Sequence, residues 1–216
     1  WVNLYVIRHG ESTWNSQNRI QGHSDPGLSK LGRLQARLLA KRFKKIKIDK
    51  IYASPLARAL ETAEIMAKAL GRKVIKDAQF KEIKLGDWEG KTPEEINRLY
   101  QNRYDKWLRL GPTKIRIPKA EGVSAFRSRA AKAFYETIKK NPDKDVMVVT
   151  HGGVISALLA HILGADFDKL ILHLYLPNTC VTVVSFHNKR ASLVHIADTF
   201  HLSKAIKVKG VWPASK

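Results

Sequence analysis

The sequence is poor in cysteine and has no long apolar run. Cys180 is the only cysteine among 216 residues, so an internal disulfide is excluded and a reducing compartment, the cytoplasm, is expected. Cys180 itself is predicted to be a small buried side chain within a strand. No stretch approaches the roughly 20 apolar residues that a membrane-spanning helix needs. The apolar start, Trp1 to Ile7, lacks a basic region and is too short for a signal peptide, so it is predicted to be a strand.

Acidic residues are scarce relative to basic ones. The 19 Asp and Glu against 39 Lys and Arg give a formal net charge of +20. Such a charge attracts phosphorylated metabolites, nucleic acids or acidic lipids, although a lysine-rich solvated surface is the simpler explanation. No zinc-finger spacing, RNP-like motif or GXXG clamp is present, so a specific nucleic-acid partner is not expected, and neither is a membrane partner. The sequence predicts no particular oligomeric state.

Several phosphate-transfer motifs are also missing. There is no P-loop and no metal-ligand cluster. Cys180 does not begin a Cys-x5-Arg loop, because position 186 is Phe. The run Asp166-Phe167-Asp168 mimics a nucleophilic Asp pair, but it follows Gly164 at a predicted helix start and does not follow a strand.

Strands and helices are predicted to alternate, which is typical of a parallel sheet covered on both faces. A hydrophobic fraction of 44% supports a sizeable core. We predict one domain, residues 1–216, of the α/β class: a three-layer sandwich with a mostly parallel central sheet, helices on both faces and a small helical lid insertion at about 90–120. Predicted strands are 4–7, 50–53, 73–76, 146–150 and a hairpin, 181–186 with 193–196, around a turn at Asn188-Lys189.

The helix ends carry recognisable signals. Ser29 is a predicted N-cap, Pro55 and Pro93 are each predicted to open a helix, and Gly71 and Gly164 are predicted to end one. Further helices are predicted at 124–140 and after His151-Gly152-Gly153, up to Leu163. The stretch 100–118 is irregular and rich in Arg, Tyr and Trp, and is assigned to the lid.

Polar side chains follow three of the predicted strands. Arg8-His9-Gly10 follows the first, Ser54 to Arg58 follows the second, and His151-Gly152-Gly153 follows the strand at 146–150. Because ligands of open α/β sheets bind beyond the carboxyl ends of the strands, we expect two Arg and two His to converge on one crevice. Each of these residues alone is more typical of an ordinary loop or core position, so the hypothesis depends on their joint placement.

These residue types suit phosphoryl transfer. Guanidinium groups pair bidentately with phosphate oxygens, and a neutral imidazole is a nucleophile toward phosphorus. With an ordinary pKa near 6.5, one histidine can be neutral while the other is cationic at pH 7, and nearby Arg favours a neutral attacker. The leaving oxygen also needs a proton donor. Glu82 and Asp87 are both candidates, and chemistry alone does not choose between them.

The motifs resemble those of the histidine phosphatase superfamily, also called phosphoglycerate mutase-like, over nearly the whole chain. The segments that carry the resemblance are Arg8-His9-Gly10-Glu11 with Thr13, Trp14 and Asn15; Gln21-Gly22; Leu28-Ser29 and Gly32; Ser54 to Ala59 with Thr62-Ala63; Glu82-Ile83 with Gly86 to Gly90; and Val149 to Gly153. Together they are highly specific, whereas Arg-His-Gly alone is weak.

The resemblance implies a role for each matching residue. His9 is the phosphorylated nucleophile, and Glu82 is the general acid that later activates water, which leaves Asp87 structural. Arg8, Arg58, His151 and Asn15 bind the phosphoryl oxygens, and backbone amides near Gly152 complete the pocket. Gln21 and Gly22 border the substrate. Family members need no metal, so no cofactor is expected. Rim candidates from lid placement are His23, Tyr100, Tyr104 and Trp107.

The segment 82–92 is most similar to that of bacterial broad-specificity phosphatases. The expected function is therefore metal-independent hydrolysis of small phosphorylated metabolites through a phosphohistidine. α-Ribazole phosphatases are similar, and so are phosphoserine phosphatases, although these tend to carry His where this chain has Leu85. Phosphoglycerate mutase activity is an alternative, disfavoured by the short insertion after Gly90. A nucleic-acid binder is suggested only by the net charge of +20.

Overall fold

A six-stranded sheet in the order β3-β2-β4-β1-β5-β6 forms the centre of the protein. The computed structural model describes residues 1–188 and 190–202. The strands are β1 (Val2–Arg8), β2 (Lys50–Ala53), β3 (Val74–Lys76), β4 (Val146–Thr150), β5 (Val181–His187) and β6 (Arg190–Asp198). The first four are parallel to one another, and β5 is antiparallel to both of its neighbours, so the sheet is mostly parallel.

The two central strands, β1 and β4, are apolar on both faces, as expected for a sheet covered by helices on each side. All five residues of β4 are buried. Val146 and Val148 join one core cluster, and the alternate Met147 and Val149 join the other. The period of two along the strand therefore divides its side chains between two cores.

Helices cover both faces of the sheet. They are α1 (Thr13–Ser16), α2 (Lys30–Phe43), α3 (Ala57–Leu70), α4 (Pro93–Leu99), α5 (Arg103–Leu110), α6 (Val123–Lys140), α7 (Gly152–Leu163) and α8 (Phe167–His173). α2 and α3 pack on one face, and α6, α7 and α8 pack on the other. The predicted three-layer α/β class is confirmed.

Residues 90–120, the predicted lid, contain α4 and α5. A separate apolar cluster holds it together, made of Trp88, Ile96, Tyr104, Trp107 and Ile117. The prediction that 100–118 is irregular is wrong over α5. There, Tyr104 and Trp107 are three residues apart and bury one narrow helix face, while four of the other six residues, Arg103, Asp105, Lys106 and Arg109, are charged.

Most predicted helix ends are confirmed. Ser29 caps α2 by accepting a hydrogen bond from the Gly32 amide at 3.0 Å, and Pro93 is the first residue of α4. Gly71 and Gly164 end their helices with φ of 62° and 61°. The hairpin is also confirmed, with Lys189 of its predicted turn outside the described residues.

Two local predictions are wrong. Pro55 does not open α3, which begins at Ala57, because Ser54 Oγ accepts the Leu56 amide and holds the chain extended up to Leu56. The Ala57 amide then bonds Asp25 Oδ1 at 2.5 Å. Cys180 is buried as predicted but lies one residue before β5, where its carbonyl accepts the Arg8 amide at 3.2 Å.

The helices are too short or too polar to cross a bilayer. This holds for each helix within residues 1–188 and 190–202.

Gly71→Ala is expected to lower the free energy of unfolding by about 1 kcal/mol, because Gly71 has a left-handed φ of 62°. Gly122→Ala is the matched control: an added Cβ meets open space at both positions, but the φ of Gly122 is −66°. Urea unfolding of the three proteins measures the difference. Equal stability of the two variants would contradict the account.

Candidate active site

A cavity of about 1070 Å³ opens at the carboxyl ends of β1 and β4. Eight of the nine residues predicted to be catalytic or substrate-binding line it: Arg8, His9, Asn15, Gln21, Gly22, Arg58, Glu82 and Gly152. The ninth, His151, is fully buried and is absent from the lining. Its ring centroid lies 5.2 Å from that of His9, so the structure brings all nine residues to one place.

Parallel pairing of β1 with β4 sets the two histidines side by side. Arg8 and Thr150 are partners in the register, and each histidine is the next residue along its strand. The His9 amide donates to the Thr150 carbonyl at 2.9 Å, which continues the ladder past the last strand residue. The His9 and His151 rings are inclined at 59°. The sheet register thus fixes this pair without help from a flexible loop.

The hydrogen bond of His9 determines its tautomer. Nδ1 lies 2.7 Å from the Gly10 carbonyl oxygen, which only accepts, so Nδ1 carries the proton and Nε2 keeps its lone pair. Burial, and then the charges of Arg58 and Arg8, hold the pKa of His9 well below its usual 6.5. The Gly10 hydrogen bond opposes this shift but does not reverse it. His9 is therefore a neutral imidazole at pH 7, the nucleophilic form.

His151 has a similar electrostatic environment. Its Nε2 lies 2.8 Å from Ser54 Oγ, and its buried Nδ1 has no hydrogen-bond partner among the described residues. Burial, and then Arg58 and His9, hold the pKa of His151 well below 6.5. Both histidines are therefore neutral in the free protein. An arriving phosphate dianion would favour protonation of His151, since it opposes the effect of the two Arg.

Two buried guanidinium groups are held by main-chain carbonyls. Arg8 Nη1 donates to the Leu176 carbonyl. Arg58 donates to the carbonyls of Ser24 and Gly22, each at 2.9 Å. The Nε of both arginines is buried without a partner among the described residues, which leaves a donor on each for an anion. Burial lowers the pKa of Arg58 to about 10, so it remains charged at pH 7.

The carboxylate of Glu82 accepts two backbone hydrogen bonds, from Ile83 at 2.9 Å and from Gly153 at 3.0 Å. Gly153 packs so closely that a Cβ there would collide with Glu82 Oε1. The Glu82 carbonyl is held by Arg129 Nη2 at 3.0 Å and lies 2.7 Å from His23 Nε2. These contacts of Gly153 and Arg129 with Glu82 were not predicted from the sequence. The second glycine of His151-Gly152-Gly153 was the available signal for the close contact, whereas Arg129 had none.

Asp87, the other proton-donor candidate, is absent from the cavity lining. Its carboxylate pairs with Lys119 Nζ at 3.1 Å. Of the rim candidates, Tyr104 and Trp107 line the cavity and Tyr100 does not. The rim assignment of His23 does not match the structure either, because its ring is turned toward the Glu82 backbone.

Polar residues near His9 complete the cavity wall. Asn15 Oδ1 accepts the Ser12 amide at 3.1 Å, which leaves the Asn15 side-chain amide free to donate. Gln21 Oε1 accepts the Ser12 hydroxyl at 2.7 Å. Gly22 has φ of 51°, and a Cβ there would collide with the Glu89 carboxylate, so the loop needs glycine to present its carbonyl to Arg58.

Among the described residues, no three His, Cys, Asp or Glu side chains are grouped to hold a metal ion.

Comparisons with known proteins point to one family. Residues 4–199 match the family model of the histidine phosphatase superfamily, branch 1. Phosphoserine phosphatase 1 of Hydrogenobacter thermophilus is 32% identical over 203 residues, 94% of this chain and 95% of that protein. Phosphoglycerate mutase-like protein 4 of Arabidopsis thaliana is 37% identical over 161 residues, 73% and 70% of the two chains. The solved structure of Bacillus stearothermophilus YhfR superimposes with a TM-score of 0.88 and 32% identity, covering 93% and 99%.

The two depressed histidine pKa values predict a stability that is lost at acid pH. Below pH 6.5 the unfolded chain binds protons at His9 and His151 that the folded protein does not, so the free energy of unfolding falls as pH falls. We expect the variant His9→Gln/His151→Gln to lose less stability between about pH 7.5 and 5.5 than the parent, by up to about 1.4 kcal/mol per histidine per pH unit. Urea unfolding at both pH values measures this. The same loss in both proteins would show that the histidines are not held neutral.

Proposed function

The chain belongs to the histidine phosphatase superfamily and is a phosphatase of that superfamily, and we propose that it hydrolyses small phosphorylated metabolites without a metal, through a phosphohistidine on His9. One observation carries the proposal: a neutral imidazole, with its Nε2 lone pair free, lies in a cavity with two buried guanidinium groups. The location we propose is the cytoplasm, supported by the single cysteine, which is buried and free.

In the first step, His9 Nε2 attacks phosphorus and the bond between phosphorus and the ester oxygen breaks. Protonated Glu82 gives its proton to the departing oxygen, so the alcohol leaves neutral and Glu82 becomes a carboxylate. In the second step, Glu82 takes a proton from water as that water attacks the phosphohistidine. Inorganic phosphate leaves, and both residues return to their starting states.

The phosphoryl oxygens are bound by Arg8, Arg58 and His151, with Asn15 and the Gly152 amide beside them. The two guanidinium groups are fixed before substrate arrives, because main-chain carbonyls already hold them. They therefore stabilise the charge of the transition state at little reorganisation cost. This is the role that Mg²⁺ has in other phosphoryl-transfer enzymes, and it supports a reaction that needs no metal.

The proposed substrate range is broad. The cavity of about 1070 Å³ is much larger than a phosphoryl group, and Leu85 in its wall has an apolar side chain that offers no hydrogen bond to a particular substrate. Phosphoserine and α-ribazole phosphate are narrower alternatives. Phosphoglycerate mutase activity is a second candidate, favoured by the match to the Arabidopsis mutase-like protein. It predicts conversion of 3-phosphoglycerate to 2-phosphoglycerate without release of phosphate.

The nucleophile is tested with p-nitrophenyl phosphate in excess EDTA. We expect the parent to be active and His9→Ala to lose at least about 10³-fold in kcat. His173→Ala, which removes an exposed histidine on α8, is the control and should match the parent. Activity that persists in His9→Ala, or that disappears in EDTA alone, would refute the proposal. An inactive parent that isomerises 3-phosphoglycerate would establish mutase activity instead.

Gly153→Ala tests whether the carboxylate position of Glu82 matters. The added Cβ displaces that carboxylate, so kcat should fall by about 10²-fold, within the range of a lost general acid or base. Glu82→Gln should lower kcat by a similar factor. In the double variant the two effects should not add, because both act through the same carboxylate. Additive losses would mean that Gly153 acts through something other than Glu82.

A further inference from the structure

The cavity extends well beyond the phosphoryl-binding residues, to a region that the proposed chemistry does not use. Its far wall comes from α6, α8 and the end of the lid. The apolar side chains there are Phe126, Phe167, Ile171 and Leu174. The Phe126 and Phe167 rings lie edge to face with centroids 6.5 Å apart. This wall suits an apolar segment of the alcohol part of a substrate.

Arg127 is a cation in this apolar region. It lines the cavity and is half-buried, with Cζ 5.1 Å from the centroid of the Phe167 ring. Among the described residues, none forms a hydrogen bond or an ion pair with its guanidinium. A guanidinium on an aromatic face retains its in-plane N–H donors for a planar or tetrahedral anion.

Arg129, two residues further along α6, differs from Arg127 because its guanidinium is fully hydrogen-bonded within the protein. Its guanidinium donates to the carbonyls of Gln79, Lys81 and Glu82 and forms a bidentate pair with Glu121. Each guanidinium nitrogen of Arg129 therefore donates to a group of the protein itself. α6 therefore carries one arginine that holds the Glu82 loop and one whose guanidinium has no hydrogen-bond or ion-pair partner among the described residues.

The acidic residues of the cavity do not neutralise Arg127. Glu121 is paired with Arg129, Glu82 accepts the amides of Ile83 and Gly153, and Glu11 accepts the Ser29 hydroxyl at 2.7 Å. Lys114 and Arg116 also line the cavity and are exposed, without an ion pair to a described residue. Arg127, Lys114 and Arg116 thus line the cavity without an ion pair to any residue that the structure describes, and the carboxylate of Asp168, next to Phe167, accepts from Thr113.

We propose that Arg127 is a specificity-determining residue that binds a second anionic group of the substrate. The substrate class is then phosphomonoesters whose alcohol part carries a carboxylate or a second phosphate beyond an apolar segment. The inference rests on the proposed hydrolase activity. A half-buried guanidinium beside an aromatic ring gains more from an anion than an exposed one, because water screens it less.

Two matched substrates test the inference, 4-carboxyphenyl phosphate and its methyl ester, which share the apolar ring and differ in the second negative charge. The quantity measured is the ratio of kcat/KM for the acid to kcat/KM for the ester, which does not depend on the folded fraction of a preparation. Arg127→Met keeps the apolar stem and should lower this ratio about 10-fold, the loss of one charge-assisted contact. The ratio for Arg127→Lys should lie between those of the parent and of Arg127→Met, since lysine keeps the charge but lacks the planar guanidinium.

Arg109→Met is the charge control. Arg109 is exposed on α5, outside the cavity lining, and its loss changes the net charge equally. It should leave the ratio at the parent value. The inference would be overturned if the ratio for Arg127→Met stayed within about twofold of the parent, or if the ratio for Arg109→Met fell equally. Hydrolysis of both esters would still support the proposed function in that case. Failure of the parent to release phosphate from either ester would refute both.

Discussion

The pairing of β1 with β4 is the constraint on which the site depends. One parallel register, Arg8 opposite Thr150, places two histidines from distant parts of the chain at adjacent strand ends. Both strands contribute side chains to two cores at once, so a slip of one residue would exchange the side chains that fill the two cores and disrupt the packing of both. The register is therefore enforced by the whole interior, and the position of His9 relative to His151 is a consequence of it.

Burial sets the chemistry of that pair. Removing His9 and His151 from water disfavours their charged forms, and the nearby guanidinium groups of Arg8 and Arg58 add to the effect. The arginines themselves remain charged, because main-chain carbonyls of Leu176, Ser24 and Gly22 compensate for their lost hydration. The result is a neutral imidazole beside fixed positive charge, which is what the proposed nucleophilic role of His9 requires.

The sequence was enough to predict that Arg8, His9, Arg58 and His151 lie together, because the ends of parallel strands and the segments that follow them meet at the carboxyl edge of the sheet. The layers of the sandwich were likewise predictable from alternation and helix signals. Glu82 required the resemblance to a family, since it lies in a loop whose course depends on tertiary contacts. The positions of Gly153, Arg129 and His23 around that loop are long-range packing, which no local pattern records. The start of α3 was not predictable from local sequence either, because hydrogen bonds of the Leu56 and Ala57 amides to Ser54 and Asp25 place it after Pro55.

The central claim is that His9 carries the phosphoryl group between the two steps, and the most direct measurement is to trap it there. p-Nitrophenolate leaves without needing a proton, so Glu82→Gln should form the intermediate and then fail to activate water. We expect protein from a Glu82→Gln reaction, quenched in alkali and digested, to carry one added phosphoryl group on the peptide that contains His9. A phosphoryl group found on another residue, or turnover by this variant with unmodified protein throughout, would contradict the account.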